Sequence, residues 1–182
     1  VYFQPQYQTA TSKMIGAEAL LRWNHPTKGQ ISPAVFIPIV EDTGMIVPIG
    51  QWVLETSCQK FVEWRDSGDT TLERIAVNVS ARQFRSDGFL NIVKDIIFRT
   101  GIRPSQLELE LTESILMDDV ELALEMLHGL RSMGVKTSID DFGTGYSSLN
   151  YLKQFPVDTL KIDRSFIKNL PRAANLLNRR TM

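Results

Sequence analysis

The sequence predicts an α/β fold in which parallel strands are joined by crossover helices. Short apolar stretches typical of buried strands alternate with longer stretches in which apolar residues recur at helical spacing. The connections between them are short, which is typical of repeated βα units. An open doubly wound sheet and a (β/α) barrel both fit this alternation.

Composition narrows the class of protein. The 182 residues are 43% hydrophobic and 23% charged, which is typical of one globular domain. The formal net charge of -1 gives no attraction toward nucleic acid or an anionic membrane surface. Cys58 is the only cysteine, so an internal disulfide is excluded and we expect a buried thiol in a reducing compartment.

The sequence contains no apolar run of about 20 residues and no signal peptide, so no membrane segment is predicted in this chain. It opens on Val1, already within a strand-like stretch. We therefore expect a cytoplasmic domain excised from a longer protein, and a membrane anchor elsewhere in that parent protein is compatible with this expectation.

The first half of the chain predicts two strands and two helices. A strand-like opening surrounds Tyr2–Tyr7, and a second apolar run covers Met14–Trp23. Ser32, followed by a proline, is a good helix start. A longer helix is expected from about 47 to 65, with Trp52 among the apolar positions that should face the core.

The second half continues the alternation. The expected elements are a strand at 74–80, a helix capped by Ser86 or Asp87 and ended by Gly101, a strand at 107–111, a helix starting at Asp118 or Asp119, a strand at 135–139, a helical segment near 149–154 and a strand at 157–163. A glycine-rich turn follows the strand at 135–139.

Polar residues decide between the two architectures. Each of the five predicted strands after the first carries one or two of them within it or at its end: Glu18, Asn78, Glu110, Asp140 with Asp141, and Lys161. Barrel enzymes draw their chemistry in this way from the C-terminal ends of successive strands. An open sheet would usually show a glycine-rich phosphate loop after its first strand, and the sequence has none. We therefore expect a TIM-like (β/α) barrel.

Simpler interpretations of these residues compete with a functional one. Glu18 and Arg22 can pair with each other, and Glu108 and Glu110 can form a solvated strand face. The two adjacent aspartates can belong to an exposed turn. Lys161, embedded among apolar neighbours, must either extend to solvent or meet carboxylates.

Taken together, the polar residues form a set of oxygen ligands with one ammonium group. Carboxylate and amide oxygens suit Mg²⁺ or Mn²⁺. Two such ions about 3.5–4 Å apart can clamp a phosphodiester and activate water. Lys161 could orient that water, and Arg22 could hold a phosphate oxygen. An Asp-Phe-Gly triplet also occurs in protein kinases, but the chain lacks their glycine-rich and HRD loops.

Several long motifs identify a family resemblance. AEALLRW, VNVS, LELTES, DDFGTGYSSLNYL and VDTLKIDRSF occur in this order and closely resemble the EAL domain family, the cyclic di-GMP phosphodiesterases of bacterial signalling. The resemblance covers residues 2–171. It implies a TIM-like barrel with an antiparallel first strand, and hydrolysis of cyclic di-GMP to linear pGpG with Mg²⁺ or Mn²⁺.

The resemblance also implies roles for individual residues. Glu18, Asn78, Glu110, Asp140 and Asp141 would bind metal, and Lys161 would assist the attacking water. Gln4, Leu20 and Arg22 would contact the dinucleotide. Glu113 would anchor the DFGTGYSS loop, through which a homodimer is expected. The domain would be fused to, or regulated by, another signalling domain.

The sequence departs from the family near its end. Members continue with a helix and two further strands, including an AEGVE segment whose glutamate serves the metal site. Here residues 172–182 diverge and the sequence stops, so we expect one EAL domain over 1–182 whose barrel lacks its last two strands. Two functions remain open: an active phosphodiesterase, and a non-catalytic module that binds cyclic di-GMP or another protein.

Overall fold

The computed structural model describes residues 1–68, 72–143 and 153–167. Six strands form one sheet and two form a hairpin. The strands are β1 (Tyr2–Tyr7), β2 (Met14–Leu20), β3 (Trp23–His25), β4 (Gly29–Ile31), β5 (Arg74–Asn78), β6 (Leu107–Thr112), β7 (Lys136–Phe142) and β8 (Thr159–Ile162). The helices are α1 (Pro33–Asp42), α2 (Ile46–Asp66), α3 (Ala81–Phe84), α4 (Phe89–Thr100), α5 (Glu113–Asp118), α6 (Val120–Ser132) and α7 (Arg164–Ile167).

The main sheet has the order β1-β2-β5-β6-β7-β8. β1 runs antiparallel to β2, and each later neighbour in this order is parallel. The predicted α/β class with an antiparallel first strand is therefore confirmed. Helices follow most of the parallel strands, as crossover connections require.

The two faces of the sheet differ in chemistry because side chains alternate along a strand. One face carries Ile75, Leu109 and Ile139, which are buried in a core shared with α2, α4 and α6. The other face carries the polar residues, including Glu108, Glu110 and Ser138. The helices therefore leave the polar face of the strands free to form a site.

Several helix ends follow local sequence rules. α1 begins after Ser32 with a proline in its first turn, and α4 ends at Gly101, whose φ of 71° suits a glycine. Asp119 caps α6, because its side chain accepts a hydrogen bond from the Leu122 backbone N–H. The predicted cap of α4 at Ser86 or Asp87 is wrong: α4 starts after Gly88, whose φ is 79°.

Other differences arise from packing or side-chain hydrogen bonds. The predicted strand at 74–80 ends at Asn78, because Ser80 instead forms a capping box that begins α3. Trp52 was expected in the core but is 52% exposed. The second predicted strand ends at Leu20, and Trp23 belongs to the β3–β4 hairpin, which the sequence did not predict.

β7 continues through both aspartates to Phe142, three residues beyond the predicted strand. The helical segment predicted near 149–154 falls mostly on residues outside the described ranges. None of the described helices combines the length and apolar character needed to cross a bilayer.

Candidate active site

Three carboxylates from three different strands meet on the polar face of the sheet. Glu18 lies on β2, Glu110 on β6 and Asp140 on β7, and one oxygen from each lies within 4.8 Å of the others. The strand register accounts for their proximity. Asn78 is paired with Glu110, and Thr112 with Asp140, so these residues lie near the C-terminal ends of neighbouring parallel strands. The carboxylates would repel one another without a nearby cation.

Lys161 of β8 supplies a positive charge at the centre of this cluster. Its Nζ lies 2.7 Å from Glu110 Oε2, 3.2 Å from Asp140 Oδ2 and 3.4 Å from Glu18 Oε2. Burial alone would lower the lysine pKa, but the hydrogen bond to Glu110 and the three negative charges outweigh burial and raise that pKa. The ammonium group therefore stays charged at neutral pH.

Glu110 is the most confined member of the cluster, with 1% of its surface exposed. Burial raises the pKa of its carboxyl to about 7, although Lys161 opposes the increase. Oε2 accepts the hydrogen bond from Lys161, whereas Oε1 is buried and has no hydrogen-bond partner in the described part of the chain. A buried carboxylate oxygen without a partner is costly unless another group, such as a cation, binds it.

Asn78 extends the cluster at the end of β5. Its Nδ2 donates a hydrogen bond to Glu18 Oε1 at 2.9 Å, which leaves its amide oxygen available as a ligand. Glu18 thus contacts Asn78 and Lys161, so the alternative pairing of Glu18 with Arg22 is wrong. Arg22 instead donates from Nη1 to the Leu21 carbonyl oxygen.

Asp141 stands beside the cluster in an unusual backbone conformation. Its φ is 52°, and its backbone N–H donates to Asp140 Oδ1. Burial, together with the charges of Asp140 and Asp163, raises the pKa of the Asp141 carboxyl. Asp163 was missed at the sequence level, although its place two residues after Lys161 on the same strand end could have indicated it.

Glu113, at the start of α5, holds the turn that follows β7. Its Oε2 accepts a hydrogen bond from the Gly143 backbone N–H at 2.8 Å. Gly143 has a φ of 94°, and a Cβ at this position would collide with the ring of Phe166. The rest of the DFGTGYSS loop, with its predicted dimer contact, lies outside the described residues.

A cleft of about 480 Å³ opens next to the carboxylates. Apolar residues of α1 and α2, including Ile37 and Ile49, form much of its wall, and Asn78 joins it to the cluster. Leu20 and Arg22, the predicted substrate contacts, both line this cleft. The third predicted contact, Gln4, is exposed on β1 opposite Glu18 and is not part of the lining.

The donor set fits a hard divalent cation. Glu18, Glu110 and Asp140 each supply a carboxylate oxygen within 4.8 Å of the others, and Glu110 Oε1 has no hydrogen-bond partner among the described residues. Mg²⁺ and Mn²⁺ prefer such all-oxygen ligands. These residues could therefore hold a metal ion of this kind.

Comparison with known proteins places the chain in a family. The family model of the EAL domain matches residues 1–178. The bifunctional diguanylate cyclase/cyclic di-GMP phosphodiesterase MucR of Pseudomonas aeruginosa is 49% identical over 170 residues, which are 93% of this chain and 25% of MucR. The signaling protein YkoW of Bacillus subtilis is 42% identical over 93% of this chain and 21% of its own length. The chain thus spans about a quarter of such relatives.

Solved structures agree with this assignment. The MucR phosphodiesterase in complex with cyclic di-GMP has a TM-score of 0.88 and 48% identity, covering 95% of this chain and 70% of that chain. This match confirms the prediction of an incomplete TIM-like barrel, of which the described residues contribute six strands. The chain therefore belongs to the EAL domain family, whose members include cyclic di-GMP phosphodiesterases.

Proposed function

We propose that the chain is a single EAL domain that hydrolyses cyclic di-GMP to linear pGpG with Mg²⁺ or Mn²⁺. The observation that carries this proposal is the set of three carboxylates around Lys161, placed at the edge of a cleft. Such a site combines a place for cations with room for a nucleotide. The similarity to the MucR phosphodiesterase supports the choice of substrate.

In this proposal, Glu18, Asn78, Glu110 and Asp140 hold one metal ion, and Asp140 or Asp141 reaches a second. Divalent cations in such a pair would polarise the phosphodiester and lower the pKa of a bound water. The role of the carboxylates is to fix the ions beside the cleft. The partnerless Oε1 of Glu110 supports this role, because a cation would satisfy it.

Lys161 is the residue that we propose to orient the attacking water. Its three N–H donors are directed at Glu18, Glu110 and Asp140. Cations bound to those carboxylates would free at least one N–H, which would then donate a hydrogen bond to the water oxygen and orient a lone pair toward phosphorus. It can also balance negative charge that develops on the phosphoryl oxygens. Attack by the water oxygen would form a new phosphorus–oxygen bond while the phosphorus–oxygen bond to the ribose breaks. The leaving ribose oxygen would take up the proton that the water gives up, and the ring would open to the linear dinucleotide.

Substrate contacts are assigned to the cleft and its rim. Arg22 and Leu20 both line the cleft. In this proposal Arg22 would hold a phosphate oxygen and Leu20 would give apolar contact to a base. Gln4, which is exposed on β1 and paired with Glu18 of β2, would also contact the dinucleotide. Glu113 would keep the turn at Gly143 in the conformation that the site requires.

Assembly and control are proposed by analogy with the relatives. The bifunctional MucR combines a cyclase with a phosphodiesterase, and the chain spans a quarter of its length. We infer that the domain works beside another signalling domain and dimerises through the DFGTGYSS loop. Analytical ultracentrifugation of the purified protein tests the dimer, and a monomer at micromolar concentration would contradict it.

The direct test is turnover of cyclic di-GMP by the purified protein with Mg²⁺ or Mn²⁺. We expect pGpG with either metal, none with EDTA, and none from Asp140→Asn. Asp87→Asn, the same change at an exposed position, is the matched control and should retain turnover. Tight binding without pGpG would instead identify a non-catalytic binding module, and neither binding nor turnover would contradict both functions.

A further inference from the structure

One buried amide group in the wall of the cleft has no part in the proposed chemistry. Gln83 lies in the short helix α3, is 6% exposed, and lines the cleft together with Asn78 and Arg22. Buried amides in ligand clefts commonly determine specificity, because their donors and acceptors must be matched by the ligand.

The orientation of this amide is set by its neighbours. Gln83 Oε1 accepts hydrogen bonds from the Ser80 backbone N–H at 3.3 Å and from Ser80 Oγ at 3.0 Å. A backbone N–H can only donate, so the oxygen of the amide must face Ser80. Within the described parts of the chain, all recorded hydrogen bonds of the Gln83 side chain use Oε1, which leaves its NH₂ group to donate elsewhere.

Gly50 of α2 fixes the amide from the other side. A Cβ at Gly50 would overlap all three outer atoms of the Gln83 side chain, so the amide occupies the space that a side chain at Gly50 would fill. Gly50 also lines the cleft. A glycine in a helix interior lowers helix stability relative to alanine. The close contact with Gln83 explains its presence here, because no residue with a side chain would leave room for the amide.

We propose that Gln83, held by Ser80 and Gly50, is a specificity-determining residue whose Nε2 donates to a purine base in the cleft and selects guanine over adenine. The inference rests on the proposed function and names the base that its cleft accepts. Guanine presents two acceptors, O6 and N7, on one edge, whereas adenine presents an acceptor and an amino donor. A free glutamine can satisfy adenine with both ends of its amide, but Ser80 already occupies the oxygen of Gln83.

The sharpest variant is Gln83→Glu. Glutamate is also a capping-box residue, so the contact with Ser80 and the side-chain volume are retained while the donor becomes an acceptor. Isothermal titration calorimetry in EDTA should give a dissociation constant for cyclic di-GMP below that for cyclic di-AMP in the wild type. In Gln83→Glu, we expect this preference to fall about tenfold or more, because guanine meets a second acceptor and adenine gains a partner for its amino group.

Two further variants separate recognition from structure. Gly50→Ala leaves Gln83 intact but displaces its amide, so the guanine preference should fall in the same direction even though alanine favours the helix. Gln59→Glu makes the same chemical change at an exposed position of α2 and should leave the preference unchanged. Thermal melting of all variants identifies any loss of folding.

The outcomes distinguish this proposal from the function on which it rests. If the wild type binds cyclic di-GMP and Gln83→Glu shows the same preference with both dinucleotides weakened equally, the specificity role is wrong and the proposed function stands. If the folded wild type binds neither dinucleotide in EDTA and yields no pGpG with Mg²⁺ or Mn²⁺, the proposed function fails and the specificity role fails with it.

Discussion

Glu108 and Glu110 are two glutamates on the same face of the same strand, and their surroundings differ sharply. They are 2% and 1% exposed. Glu108 lies near the start of β6, where Arg74 Nε is 2.9 Å from its Oε2. Glu110 lies toward the other end, where Lys161 is shared with Glu18 and Asp140.

The charge balance explains what each glutamate can do. Glu108 has one cation close by, and Arg74 is further held by Gln6 through a hydrogen bond of 3.3 Å. That arrangement is a local ion pair, which contributes to structure. Around Glu110, three carboxylates surround one ammonium group, so negative charge remains in excess. A site with excess negative charge at the end of parallel strands is suited to bind cations.

The largest expected effect is that of Glu110→Gln on turnover. The substitution removes a ligand charge, and the loss of several kcal/mol of transition-state stabilisation corresponds to a decrease in kcat of about 10³-fold or more. Because the carboxylates no longer crowd one another as strongly, the free energy of unfolding without metal should not decrease. Steady-state kinetics and urea unfolding in EDTA measure the two quantities, and turnover within tenfold of wild type would contradict the assignment.

Lys161→Met should give the next largest effect. Loss of the group that orients water is expected to decrease kcat by about 10²–10⁴-fold. The exposed Lys94→Met on α4 is the matched control and should leave kcat unchanged. Equal kinetics for the two variants would mean that Lys161 serves only to balance charge in the metal-free protein.

Glu108→Gln should show the opposite behaviour to Glu110→Gln. It leaves the partly buried Arg74 without its anionic partner, so the free energy of unfolding should decrease by about 1–3 kcal/mol. Turnover should stay within about twofold of wild type, because the strand ends are unchanged. Urea unfolding measures the stability of Glu108→Gln, and the pGpG assay measures its turnover. A large loss of turnover with unchanged stability would mean that Glu108 serves the active site and not the stability of the fold.

The last prediction concerns stability as a function of pH in the absence of metal. Burial raises the pKa of Glu110 from 4.5 to about 7, so the folded protein binds the proton more tightly than the unfolded chain does. The contribution of Glu110 to stability is therefore complete below pH 4.5 and is lost as pH rises toward 7, by at most about 1.4 kcal/mol per pH unit. The difference between wild type and Glu110→Gln, measured by urea unfolding in EDTA at each pH, isolates this slope. A difference that does not vary with pH would contradict the raised pKa.

Local patterns in the sequence were enough to predict much of the fold. The alternation of Leu and Glu in β6 predicted that Glu108 and Glu110 share a face, and the lysine embedded in β8 indicated a contact with carboxylates. What periodicity could not predict was that the shared face is buried, because that depends on neighbouring strands distant in sequence. The interpretation of these glutamates as a solvated face is wrong for this reason.

Other features depend on packing that no local pattern encodes. Trp52 has helical spacing with core residues, yet it lies on the exposed side of α2. The contact between Gly50 and Gln83 joins two helices and becomes visible only in the assembled structure. Asp163 approaches Asp141 across the ends of β7 and β8. These are tertiary relations, whereas the start of α1 after Ser32 and the cap of α6 at Asp119 could be predicted from adjacent residues.

A divalent cation should bind at the C-terminal ends of the parallel strands, near Glu110, and not near Glu108 at the start of β6. Calorimetric titration of Mn²⁺ into the metal-free protein tests it most directly, with Glu110→Gln and Glu108→Gln measured in parallel. Wild type and Glu108→Gln should bind Mn²⁺ with similar affinity, and binding by Glu110→Gln should be weakened at least tenfold. Equal binding by Glu110→Gln, or loss of binding in Glu108→Gln alone, would contradict it.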